Sequence, residues 1–187
     1  MGGYARNLRA ESGIPLDWGT MVPLWFLGHG RNMDGYGDVL APSPDVDLGP
    51  PIVIVTPSRI LPRSTMVEFG EAVAEAAQRD GRRVAFVASC DWSHTHQGGR
   101  YGFHEAAADV DAAVLEALGD NDPWRLIGLD KQQVKDAAID GPWQVLMLAG
   151  VMNRTPMRGE VLSYEAPEAY ATGMIVATFE PVEERTP

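Results

Sequence analysis

The chain has 187 residues, 45% hydrophobic and 22% charged, which is enough apolar content for one buried core and too much for a disordered segment. Its formal net charge of −11 argues against nucleic acid or an anionic membrane surface as the partner, because both would repel it. The single cysteine, Cys90, excludes an intramolecular disulfide, no apolar run approaches the roughly 20 residues of a membrane span, and MGGYARNLRAESG lacks the apolar core of a signal peptide, so cytoplasm is the default.

In chain order, MVPLWFLG (21–28) reads as a strand. The glycine- and proline-rich stretch 28–51 reads as a surface loop or lid. PIVIVTP (51–57) is a short run of β-branched residues bounded by prolines, the signature of a buried strand. STMVEFGEAVAEAAQRDG (64–81) predicts a helix with Ser64 as N-cap and Gly81 as its stop. RRVAFVAS (82–89) predicts a second buried strand. Strand, helix and strand in this order form a right-handed crossover and hence a parallel pair.

HEAAADVDAAVLEALG (104–119) places Val110, Val114 and Leu118 at helical spacing, and 123–140 reads as one or two short helices. PWQVLMLAGVMN (142–153) starts with Pro142 at a first turn and is apolar on nearly every side, as a core helix is. Residues 160–181 read as two strands around a turn that contains proline. No internal repeat is present. The fold class expected is α/β: a three-layer-like sheet with a parallel βαβ core and flanking helices.

Open parallel sheets place ligands beyond the carboxyl ends of their strands. SCDWSHTH lies at that end of the second predicted strand and TPSR at that end of the first. An imidazole there serves as an acid/base near neutral pH or as a metal ligand. His94 and His96 with one carboxylate would also make a facial triad of the non-haem Fe(II) type. Asp91, Asp140, Glu160 and Glu165 all remain open as that carboxylate. Cys90 at a strand end reads as a buried core thiol more readily than as a nucleophile. The glycines of HGRNMDGYG do not match a phosphate loop.

Five stretches in order, DWGTMVPLWFLG, VAFVASCDWSHTH, FHEAAADVDAAVLEALGDNDPWRLIGLD, LMLAGVM and GEVLSYEAPEAYATGMIVATF, resemble the LigB-type superfamily of class III extradiol ring-cleavage dioxygenases. The resemblance runs from about residue 15 to residue 180 and treats residues 1–187 as one such domain. It implies an α/β fold and oxidative opening of a catechol-like ring with Fe(II) and O₂. The family motif D-H-G-T-x-V-P-L falls on Asp17 to Leu24, and D-L-S-H falls on Asp91 to His94. By that resemblance His94 is the acid/base, with Asp91 beside it, and Glu165 is the late metal-binding carboxylate, with Asp140 behind it. The substrate contacts would come from Trp18, Thr20, Trp92 and His96, although His96 has no family counterpart.

Two departures stand out. Trp18 replaces the histidine of D-H-G-T, and the sixteen residues before Asp17 contain no histidine to act as the family's upstream iron ligands. The resemblance therefore implies either a chain short of its N-terminal metal-ligand region or, alternatively, a non-catalytic subunit or binding module of the same fold that holds no metal. In the second case its partner would be another copy or a complete homologue.

Overall fold

The computed structural model describes residues 17–27 and 50–182. The chain divides into two compact units, Met1–Val55 and Thr56–Pro187.

In the first unit, Trp18–Phe26 forms helix α1, not the strand that its apolar run predicts. The reason is local. The Asp17 carboxylate accepts hydrogen bonds from the Thr20 amide and the Thr20 hydroxyl, both at 2.9 Å, and the Asp17 carbonyl accepts from the Met21 amide. That is an N-cap, which closes the first helical turn before any strand partner is found. Pro23, inside this helix, would also have had no place in a central strand. Residues 51–55 carry no sheet ladder, and Val53 is 90% exposed. The predicted loop 28–51 lies, save for residues 50 and 51, outside the described residues.

The second unit is built on two crossed helices, α2 (Arg63–Asp80) and α5 (Pro142–Arg154). Pro62, rather than Ser64, precedes the first residue of α2, and Gly81 ends it in the left-handed region (φ 73°) with its amide on the Ala77 carbonyl. Helix α5 is buried over nearly its whole length, as its all-round apolar sequence predicts. Gly70 and Gly150 face each other where the helices cross. A Cβ on Gly70 would lie 1.9 Å from the Met147 carbonyl oxygen, and one on Gly150 would lie 2.0 Å from that of Val67.

Helix α3 (Ala106–Gly119) adds Val110, Val114, Ala117 and Leu118 to the same core. A 3-10 turn (Pro123–Gly128) and the short helix α4 (Lys131–Asp136) follow. The Arg63 guanidinium donates to the carbonyls of Ile127 (3.1 Å) and Leu129 (2.5 Å), which anchors the 3-10 turn to the start of α2.

The sheet is an antiparallel hairpin of β1 (Met157–Glu165) and β2 (Met174–Pro181), with Met157 opposite Pro181 and Glu165 opposite Met174. A bulge between Val161 and Ser163 shifts the register, and Val161, Ile175 and Phe179 turn inward onto the core. The parallel βαβ pairing is absent among the described residues: neither 51–57 nor 82–89 has a ladder partner. Residues 86–90 still alternate as a half-buried strand would. Phe86, Ala88 and Cys90 pack on the core while Val87 is 56% exposed. The fold is thus α/β, with helices around a small antiparallel sheet. No described helix is long and apolar enough to cross a membrane.

Candidate acid/base site

Beyond Cys90 the chain leaves the core as the segment 91–96, and backbone pairing fixes its path. The His94 amide donates to the Ala137 carbonyl (2.9 Å), and the Thr95 hydroxyl donates to the Asp136 carbonyl (3.0 Å). These bonds seat His94 against the end of α4.

The His94 ring lies between two acceptors. Nε2 is 3.1 Å from Asp91 Oδ2 and Nδ1 is 2.5 Å from the Ala138 carbonyl oxygen. A carboxylate and a carbonyl offer no proton, so both contacts are satisfied together only by the imidazolium. His94 accordingly titrates above its ordinary value, chiefly through the Asp91 hydrogen bond, with burial opposing the shift. Ala138 has φ 50°, a left-handed conformation unusual for alanine, at the residue whose carbonyl receives Nδ1–H.

Because the folded state raises this group, its stabilising contribution is complete below the unfolded value near pH 6.5. It is lost as the pH rises through the folded value. Asp91→Asn is therefore expected to lower the His94 midpoint in a proton-NMR titration. The stability difference from wild type should be largest between about pH 5 and 6.5 and shrink above it. An unmoved midpoint would show that Asp91 does not hold the ring.

His94 faces a cavity of about 360 Å³, within the range of small-molecule sites. Tyr101, Ile139 and Trp143 give it aromatic and aliphatic walls, and Arg59 and Asp140 give it charge. The Tyr101 ring meets His94 edge-on at 5.7 Å. Arg59 stacks over Trp143 at 5.4 Å while its guanidinium holds Asp140 at 2.6 Å. Cys90 lies just behind, buried and beside Asp91 and Asp140, and its thiol is pushed up to about 12, which keeps it a thiol and not a nucleophile.

Asp91, His94 and Asp140 offer ligand atoms that all lie within 4.8 Å of one another. The trio was tested as a seat for the Fe(II) that the resemblance implies, and it does not fit. It provides one imidazole and two carboxylates rather than two imidazoles and one carboxylate. Both ring nitrogens of His94 are already engaged, and the Arg59 cation sits on Asp140. Glu165 is not in this group. It is an exposed residue at the end of β1.

The other residues singled out from the sequence are placed as follows. Trp92 is 2% exposed, with its ring against Gly141. The His96 ring turns to Asp111, with Nε2 2.8 Å from Oδ2. Trp18 and Thr20 belong to the first unit, where Trp18 is exposed and the Thr20 hydroxyl is spent on Asp17. Sequence reasoning missed Arg59, Tyr101, Asp111 and Tyr164. For Asp111 a signal was available: a carboxylate inside the apolar stripe of α3.

The family model described as the catalytic LigB subunit of aromatic ring-opening dioxygenase matches residues 5–175. Protein CA_C1420 of Clostridium acetobutylicum is 27% identical over 157 residues, which is 83% of this chain and 30% of that protein. The chain thus spans about a third of that relative's length. With the match covering nearly all of its residues, the chain belongs to the LigB family of aromatic ring-opening dioxygenases.

Proposed function

We propose that the second unit binds a small catechol-like aromatic and that His94, oriented by Asp91 and Ala138, moves the proton of a ring hydroxyl in an extradiol-type ring opening. The observation that carries this reading is an imidazole between two acceptors, facing an aromatic-walled cavity. Tyr101 and Trp143 favour a flat ring, which they desolvate on entry. With Nδ1–H on the Ala138 carbonyl, the tautomer is fixed and Nε2 is the atom that exchanges protons. Asp91 stabilises the imidazolium formed when Nε2 accepts the hydroxyl proton. Arg59 lies within reach to offset the negative charge left on the substrate oxygen. No step here passes through iron, because the trio around His94 does not fit it.

The test is aerobic incubation of the full chain, with Fe(II) supplied, against a panel of catechols. A yellow ring-opened product is expected from at least one of them. Catechols that neither bind nor react would overturn the assignment.

A second reading is favoured by the engagement of Asp140 by Arg59: a binding module of the same fold that works with a second copy or a complete homologue. It predicts catechol binding without turnover by the chain alone.

A further inference from the structure

Asp111 is 1% exposed, yet it projects from the core-facing stripe of α3 between Val110 and Val114. Packing alone would be served there by an apolar residue, and burying a carboxylate is costly unless donors surround it. Three donors do. The Ser93 amide reaches Oδ1 at 3.1 Å, and the His96 Nε2–H and the Tyr164 hydroxyl reach Oδ2, each at 2.8 Å. Ser93 and His96 are close neighbours of His94 on either side in the sequence. The seat leaves no slack, because a Cβ on Gly173 would lie 2.0 Å from Asp111 Oδ2. Gly173 in turn closes the segment from outside: its amide donates to the Ser93 carbonyl (2.9 Å), and its carbonyl accepts from the Trp92 amide (2.8 Å).

We propose that Asp111 is the positioning residue of the acid/base segment: its buried carboxylate clamps both flanks of His94, through the Ser93 amide and the His96 ring, and fixes where His94 presents its proton. His96 then acts as the clamp's second arm and does not touch substrate, and Tyr164 holds the carboxylate in its orientation. The inference rests on His94 being the acid/base of the proposed function. Asp111 touches neither His94 nor the cavity, so its effect runs through the backbone. A displacement of about 1 Å in a reacting group costs on the order of a hundredfold in rate.

The experiment uses the full chain with 4-nitrocatechol, whose absorption reports whether it is bound neutral or ionised, together with steady-state turnover of the best catechol. In Asp111→Asn and His96→Ala, kcat is expected to fall roughly ten- to a hundredfold while KM changes less than about threefold. Bound 4-nitrocatechol should revert toward its neutral spectrum. His96→Gln keeps an N–H donor and should stay within about threefold of wild type. Unchanged kcat and an unchanged probe spectrum in folded Asp111→Asn would overturn the clamp. So would His96→Gln falling as far as His96→Ala.

If Asp111→Asn does not fold, Tyr164→Phe, which keeps the charge and removes one donor, takes its place with the same expected direction. If wild type leaves 4-nitrocatechol unbound, the acid/base reading fails and the clamp is tested separately. Faster hydrogen exchange at the Ser93 and His96 amides in Tyr164→Phe supports it, and unchanged exchange refutes it.

Discussion

Gly150→Ala is expected to cost the fold about 3 kcal/mol or more, and Gly70→Ala a similar amount. Helix propensity alone favours alanine over glycine by about 1 kcal/mol, so the sign depends on the space available. The added methyls would sit 2.0 Å from the Val67 carbonyl oxygen and 1.9 Å from that of Met147. Both obstacles are backbone, which no rotamer change removes. Helices α2 and α5 would have to move apart, and the separation would reach Met66, Val145 and Leu146 in the core between them. Gly119→Ala serves as the control, since nothing lies within 4 Å of its added methyl. Urea unfolding should show a large fall in midpoint for the two crossing variants and little change for the control. A crossing variant as stable as wild type would show that the helices pack less closely than described.

His94→Gln is expected to lower kcat for catechol opening by about 10²- to 10⁴-fold, the usual worth of a general acid/base. Glutamine can still donate a hydrogen bond, but it cannot exchange a proton near neutral pH. KM should change far less, because the walls of Tyr101 and Trp143 remain. Asp91→Asn keeps the imidazole and should lose less activity than His94→Gln. Steady-state kinetics of the two variants, with melting curves to confirm folding, decides this. Equal kcat in His94→Gln and wild type would remove His94 from the chemistry.

The elements that the sequence shows most clearly are those whose burial is set by their own pattern. Helix α5 is apolar all round and is buried all round. The β1–β2 hairpin follows from two β-rich runs flanking Pro167, and α3 from its Val110, Val114 and Leu118 spacing. Residues 51–57 and 82–89 were read as a parallel pair from β-branched content, but composition does not say whether a neighbouring strand is there to complete the ladder. Residues 18–26 went wrong for another reason. The Asp17–Thr20 contact is a helix cap, and a run of apolar residues after it does not distinguish helix from strand.

At the site, the sequence placed His94 at a rim, and the structure places it facing a cavity. The Asp91–His94 contact spans three positions, short enough for a motif to hold. The Asp111 clamp joins residues from three distant stretches, so spacing could not show it. Strand alternation offered one further clue. Glu165 drew attention at the end of β1 as an acid in an apolar strand, yet it faces outward while the neighbouring Tyr164 turns inward to the carboxylate.

The most direct measurement is the absorption spectrum of 4-nitrocatechol bound to wild type and to His94→Gln, at a pH where the free probe is neutral. With His94 present the bound probe should be ionised, its proton held at Nε2 beside Asp91. With glutamine in its place the probe should bind neutral. The same spectrum in both proteins, or no binding to wild type, would contradict the account.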